Sequence, residues 1–164
     1  MDVRPASLNL ALRMLWVLIA AGFVAVLLVV FRTDDLVRAW AEGNPAVREV
    51  LETRGLKAVK EGSVTPPHFV PVATTLYVVV AGLVAVLGVF LRNGFEWARV
   101  GITATLVFGI VASVGGFRVG QPGLFIAWAC VCVVIFLALM VPLWHPATTA
   151  YIHAPIDEPE PNAI

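Results

Sequence analysis

Four long apolar stretches without charged side chains divide the sequence. They cover residues 14–31, 71–91, 100–117 and 122–144. A transmembrane helix needs about 20 mostly apolar residues to cross about 30 Å of hydrocarbon. Each stretch therefore predicts one membrane span. Pro71 sets the start of the second span and Pro122 the start of the fourth, because proline is tolerated in the first turn of a helix.

Polar segments separate and flank these spans. They are an N-terminal tail 1–13, a segment 32–67, a hairpin 92–99, a short turn 118–121, and an acidic, proline-rich tail 145–164 that we expect to be disordered. The predicted fold class is an all-α membrane protein. Its architecture is a bundle of four transmembrane helices, with an amphipathic helical extracytoplasmic segment between the first and second spans.

Composition sharpens this prediction. The chain is 60% hydrophobic and 13% charged, with a mean hydropathy of +0.91, whereas soluble domains are about 25% charged. This excludes a disordered protein, and the formal net charge of zero leaves no basic surface for nucleic acid. None of the charges lies inside a predicted span. Since ion pathways and proton relays use ionisable groups within the membrane, coupled transport is disfavoured.

The first span has one alternative interpretation, a cleaved signal peptide. Residues 39–41 fit the small-x-small cleavage pattern. The apolar core of 18 residues is longer than the 7–15 typical of a signal peptide. We therefore expect the segment to be retained as a membrane span.

Basic residues near the spans predict the orientation. Arg4 and Arg13 precede the first span, whereas the six basic residues of segment 32–67 are mixed with six acidic ones. The first helix usually dominates orientation, so we predict a multi-pass protein of the plasma membrane with both termini in the cytoplasm. Four residues are predicted to anchor the bundle at the membrane interface: Arg92, Trp97, Arg99 and Trp144.

Segment 32–67 contains several signals of short helices. Thr33 or Asp34 can begin one helix, Gly43 ends it, and Asn44-Pro45 begins another that Gly55 stops. Two interpretations remain open. The segment is either a cap with its apolar face on the membrane or the helix bundle, or a surface that docks a partner or a lipid headgroup.

Small residues follow one face of the third span at intervals of four. They are Gly101, Thr105, Gly109 and Ser113. Small side chains allow close approach of helices in a membrane. The stripe predicts packing either inside one bundle or between copies of the chain in a homo-oligomer.

The sequence carries no recognisable catalytic or cofactor motif. Cys130 and Cys132 point to different sides of one helix and cannot pair. A metal site in the C-terminal tail is a weak alternative, and its candidate ligands are His145, His153, Asp157, Glu158 and Glu160. We predict no catalytic, cofactor-binding or metal site.

Three short motifs carry a resemblance to a known group of proteins. They are Arg4-Pro5 before the first span, Gly94-Phe95-Glu96-Trp97-Ala98-Arg99 in the hairpin, and His145-Pro146-Ala147-Thr148-Thr149-Ala150-Tyr151 after the fourth span. With these motifs the chain resembles small four-span membrane proteins of actinobacteria. Glu96 and His145 depart from the more basic residues usual there. The resemblance implies a four-span fold and a cell-envelope location, and it implies no activity.

Three functional hypotheses follow. The first is a non-enzymatic accessory or scaffold subunit, with the lipid bilayer and a membrane protein or a second copy as partners. The second is a passive channel or a carrier of lipid or another small molecule. The third is a membrane enzyme, for which Arg92, Glu96 and Arg99 are the best candidate residues. Membrane anchoring explains those three residues more simply.

Overall fold

The computed structural model describes residues 5–62, 66–117 and 120–153, and all regular secondary structure within these ranges is helical. The helices in chain order are α1 (Ala6–Phe31), α2 (Thr33–Gly43), α3 (Pro45–Lys60), α4 (Phe69–Arg92), α5 (Glu96–Phe117), α6 (Gly123–Leu143) and α7 (Pro146–Ile152). Helices α1, α4, α5 and α6 are long and apolar enough to span a membrane. The predicted all-α fold with four spans is confirmed, and the chain is a multi-pass membrane protein.

The four long helices form a closed ring of neighbours. Helix α1 packs against α4 and α6, and α5 packs against the same two helices from the other side. The α4–α5 connection is a tight turn in which Gly94 has φ +83°, a left-handed conformation that glycine adopts without steric cost. The start of α1, this turn and α7 all lie at one end of the bundle, which we call the terminal end.

The buried core of the bundle lies towards the terminal end. In α4 the buried residues are Val84, Leu87 and Leu91, on one face of its last two turns. The other helices contribute residues from the same level: Leu8, Ala11, Leu15, Ala98, Ile102, Leu106, Leu139 and Leu143. The opposite half of the bundle presents exposed apolar side chains, such as Phe31 and Phe108. The four helices are therefore packed most closely at the terminal end.

Helices α2 and α3 form an antiparallel pair at the opposite end, here called the α2–α3 hairpin. The sequence correctly predicts its internal boundaries. Helix α2 ends at Gly43, Asn44 Oδ1 accepts a hydrogen bond from the Ala46 amide at 3.1 Å, and Pro45 is the first residue of α3. Gly55 interrupts α3 with φ +77°.

The expected cap at the start of α2 is not formed. Neither Thr33 nor Asp34 caps this helix through its side chain. Helix α2 follows α1 almost without interruption, and the amides of Asp35 and Leu36 bond to the Arg32 carbonyl. Thr33 Oγ1 instead donates back to the Val29 carbonyl of α1 at 2.7 Å.

Two predicted tails are partly helical, which corrects the boundaries expected from the sequence. Residues 6–13 belong to α1, since Leu8 and Ala11 pack into the core. Residues 146–152 of the predicted disordered tail form α7, where Thr148 is completely buried. Hydropathy alone misses both segments because tertiary packing stabilises them. The remainder of the predicted C-terminal tail, 154–164, lies outside the described residues, as do residues 118–119 of the predicted turn.

The contact of α5 with α6 at Gly109 generates a first prediction. A Cβ atom at Gly109 would lie 2.8 Å from Phe136 Cε2, so a larger side chain must displace the ring. We expect Gly109→Leu to lower the free energy of unfolding by about 1–3 kcal/mol. Thermal unfolding in mild detergent measures this effect. Gly82→Leu is the matched control, because a Cβ atom there meets nothing within 4 Å. Equal midpoints for the two variants would contradict this packing role.

Candidate functional site

A buried arginine organises the polar groups at the terminal end. Arg99 lies in the first turns of α5 and is only 3% exposed. Its Nη1 donates to Thr149 Oγ1 of α7 at 2.9 Å, and its Nη2 donates to Glu96 Oε1 at 3.0 Å. Among the described residues, Arg99 Nε has no hydrogen-bond partner. The guanidinium thus connects α5 to α7.

An aromatic ring covers one face of this guanidinium. Arg99 Cζ lies 4.3 Å from the centre of the Trp144 ring, within the range of a cation–π interaction. The Trp144 indole is fixed in turn, because its Nε1 donates to Thr103 Oγ1 at 3.1 Å. Thr103 Oγ1 donates to the Arg99 carbonyl at 2.9 Å. The end of α6 is therefore held against the first turns of α5.

Glu96 extends the cluster to the last residue of the described chain. Its Oε2 lies 3.4 Å from His153 Nε2, while its Oε1 accepts from Arg99. The carboxylate is half-exposed, so it offsets the arginine charge only in part and remains accessible from outside the protein. We refer to Glu96, Arg99, Trp144, Thr149 and His153 together as the Arg99 cluster.

A second polar contact fixes α7 to the start of α1. The buried Thr148 donates from Oγ1 to the Pro142 carbonyl at 2.9 Å. The same oxygen lies 2.8 Å from Ser7 Oγ, which can donate to it. Carbonyls in the last turn of a helix lack intrahelical partners, so Thr148 supplies one to α6. Helices α1, α6 and α7 meet at this point.

Arg99 is bound by groups of the protein, whereas the sequence predicts it as an anchor at the membrane interface. At 3% exposure its side chain is enclosed by the protein. An arginine at the edge of a predicted span can extend its side chain to the lipid headgroups. In the structure, Thr149 and Glu96 bind the guanidinium of Arg99 instead. Burial of an unpaired charge is costly, so these partners make its position possible.

The other three predicted anchors lie at the same end with substantial exposure. Arg92 is exposed at the last residue of α4. Trp97 is 52% exposed and its ring centre lies 4.7 Å from that of Phe90. Trp144 is 48% exposed while it also covers Arg99. These side chains combine protein contacts with access to the surroundings of the bundle.

The glycines of the predicted small-residue stripe face helices of the same chain. A Cβ atom at Gly101 would lie 3.0 Å from Leu87 Cδ2 of α4, whereas Gly109 faces Phe136 of α6. The hydroxyls of the stripe bond to carbonyls of α5 itself, Thr105 to Gly101 at 2.9 Å and Ser113 to Gly109 at 2.8 Å. These hydroxyls therefore have partners within their own helix.

Of the candidate metal ligands in the tail, the structure describes His145 and His153. His145 Nδ1 accepts from the Ala147 amide at 3.2 Å and begins α7, whereas His153 contacts Glu96. The described residues hold no group of three or more side chains suited to a metal ion. Asp157, Glu158 and Glu160 lie outside the described residues.

Sequence reasoning missed Ser7, Thr103, Thr148 and Thr149 as members of a polar network. Each is a common hydroxyl residue, and none has a sequence neighbour that reveals its partner. Thr149 lies 50 residues from Arg99 along the chain. The only local signal is His145-Pro146, which resembles the capped start of a short helix.

Comparisons of this chain with models of protein families, with curated proteins and with solved structures find no match. The resemblance to four-span actinobacterial proteins stays a prediction.

The role of Thr149 gives a second prediction. Thr149→Val keeps the shape of the side chain and removes its hydroxyl, which leaves Arg99 Nη1 without this acceptor. We expect the free energy of unfolding to fall by about 1–3 kcal/mol, the cost of an unsatisfied buried donor. Thermal unfolding in detergent measures the loss. Thr149→Ser retains the acceptor and should stay close to the parent chain. Equal losses in both variants would assign the effect to packing instead.

Proposed function

We propose that this chain is a non-enzymatic accessory or scaffold subunit of the plasma membrane that binds a partner protein through its α2–α3 hairpin. The observation that carries the proposal is the hairpin itself. Its apolar side chains pack against each other, and its outer surface carries a groove lined by charges of both signs.

The hairpin has a small core of its own. Val37 and Ala41 of α2 pack with Val47 and Val59 of α3, and each of the four is at most 4% exposed. Phe69, the first residue of α4, packs against the same cluster. An amphipathic helix that lies on a bilayer turns its apolar face to lipid. Here the apolar faces meet inside the hairpin, which leaves polar faces outward and favours a protein partner.

Polar contacts hold the two helices of the hairpin together. Lys60 Nζ lies 2.6 Å from Asp34 Oδ1, joining the end of α3 to the start of α2. At the other end, Arg48 Nε donates to the Glu42 carbonyl at 2.8 Å. Exposed ion pairs each contribute little to stability. Together with the buried core, these contacts fix the orientation of α2 relative to α3. A docking surface requires such a fixed arrangement.

The groove on the hairpin is lined by charged and apolar side chains. It encloses about 610 Å³. Leu51 and Leu56 supply apolar surface, while Arg38, Glu42 and Glu52 supply charges around it. Protein interfaces commonly combine an apolar centre with a polar rim. This mixture of charges suits a polar segment of a partner better than an anionic membrane surface.

Arg99 is a candidate catalytic residue by its sequence, but its contacts in the Arg99 cluster support a structural role. Arg99 is buried and is bound by Thr149 and Glu96. A catalytic arginine must contact substrate, and this guanidinium contacts neighbouring helices. Its arrangement is explained by the docking of α7.

A carrier of an apolar small molecule is the second candidate, and one cavity favours it. Next to the hairpin a space of about 520 Å³ is lined mainly by apolar side chains, among them Val29, Trp40, Phe69, Leu76 and Phe125. A carrier would purify from mild detergent as a lone chain with an apolar molecule bound. An accessory subunit would purify with a stoichiometric protein partner.

A third prediction tests the groove. Arg38 is exposed and lines it, so Arg38→Glu should reduce recovery of a stoichiometric partner roughly fivefold or more, as expected for a reversed charge at an interface. The measurement is affinity purification in mild detergent with quantitative mass spectrometry. Lys57→Glu is the matched control, because Lys57 is exposed and lies outside the groove lining. No stoichiometric partner, or equal losses in both variants, would refute this docking surface.

The orientation is a further part of the proposal: the termini face the cytoplasm and the hairpin lies outside. Exposed Arg13 and Arg92 at the terminal end support it. In a background with Cys130→Ala and Cys132→Ala, we expect Glu61→Cys to react with a membrane-impermeant maleimide in intact cells. Asn93→Cys should react only after permeabilisation. Both positions are exposed, so the reverse pattern would invert the orientation.

A further inference from the structure

A groove runs between α1 and α4 on the outside of the bundle, towards the terminal end. It encloses about 480 Å³. Its lining is divided along its length. Asn9, Arg13 and Arg92 lie nearest the terminal end, and apolar side chains such as Ile19 and Ala85 lie further into the span. The groove is therefore polar at one end and apolar along the rest.

The two arginines of this groove differ from Arg99 in their surroundings. Both Arg13 and Arg92 are exposed. Within the described part of the chain, neither has a carboxylate oxygen within 4.0 Å, whereas Arg99 pairs with Glu96. Two cations without a described protein counter-charge lie in one groove, and an anion complements them.

The levels of these residues match those of a phospholipid in a bilayer. A Cβ atom at Gly88 would lie 3.4 Å from Leu15 Cδ1, so these residues mark the same height in α1 and α4. At about 1.5 Å per residue, Arg13 lies about 3 Å and Arg92 about 6 Å nearer the terminal end. The two arginines therefore lie at nearly the same level along the helices, and the apolar part of the groove continues towards the middle of the two spans.

We propose that this groove binds one anionic phospholipid. Its phosphate lies between Arg13 and Arg92, where guanidinium groups can form charge-assisted hydrogen bonds to phosphate oxygens. One acyl chain follows the apolar groove past Trp16, which is 68% exposed, and Ala85. Basic pockets between transmembrane helices commonly bind anionic headgroups.

The charges of the groove favour a lipid over a second copy of the protein. A symmetric dimer through this face would bring the groove of one copy against that of the other. Arg13 and Arg92 of one copy would then lie close to Arg13 and Arg92 of the other copy, and these like charges would repel each other. A phospholipid supplies both the anion and the apolar chain in the order that the groove requires. This site is separate from the α2–α3 hairpin, so it does not depend on the proposed docking function.

The test compares two lipids with identical acyl chains, phosphatidylglycerol and phosphatidylcholine, by native mass spectrometry of the purified full chain in detergent. We expect preferential retention of phosphatidylglycerol. Replacement of both arginines, Arg13→Gln with Arg92→Gln, should weaken phosphatidylglycerol binding by roughly tenfold or more, from loss of two cationic contacts. The control removes two exposed basic residues outside both grooves, Arg54→Gln with Lys57→Gln, and should keep the preference.

A further variant tests the acyl-chain part of the site. Ala85→Leu fills the groove at an exposed position, and we expect it to reduce phosphatidylglycerol retention with both arginines intact. Ala104→Leu, exposed on α5 outside the groove, is its control. Soluble glycerol phosphate should compete poorly, because it lacks acyl chains. Equal retention of the two lipids, equal losses in the double control variant, or full competition by glycerol phosphate would each overturn the proposal.

Discussion

The guanidinium of Arg99 is the charged group on which the terminal end depends. A buried cation requires partners, and those of Arg99 come from different parts of the chain: Glu96 in the same helix, Trp144 after α6 and Thr149 in α7. These partners can meet only if α5, α6 and α7 adopt one mutual arrangement. The contact of Thr148 with Ser7 then includes α1 in the same arrangement. One buried charge thereby explains why a short helix follows the last span.

The two ends of the bundle have different properties as a consequence. At the terminal end, large buried side chains such as Leu91, Ile102 and Leu143 surround the contacts between helices. Towards the other end the long helices expose apolar side chains, and the α2–α3 hairpin has a small core of its own, against which Phe69 of α4 packs. Close packing therefore belongs to the end that holds the polar cluster, and the proposed docking surface lies at the other. The proposed lipid groove lies beside the closely packed end, where the helices are held in register.

Particular residues illustrate how far the sequence predicts this structure. Gly43, Asn44 and Pro45 mark a helix boundary correctly, because caps and the restricted backbone of proline act over a few neighbouring residues. The contacts of Arg99 are not predictable from its neighbours in the sequence, because its partner Thr149 lies 50 residues away in the chain. Helix α7 is missed for a related reason. Its seven residues are too few for a stable isolated helix, and contacts with α1, α5 and α6 stabilise it.

Apolar stretches long enough to cross a membrane determine four spans by themselves, because the bilayer requires continuous helices whose backbone groups bond internally. The same local chemistry determines the break between α2 and α3. Tertiary structure alone decides which polar residues meet, which glycines contact which helix, and which arginine is buried. Lipid offers no hydrophobic drive for association between helices, so close packing and specific polar contacts select the arrangement. In this protein, Gly109 against Phe136 and Arg99 with Thr149 are contacts of that kind.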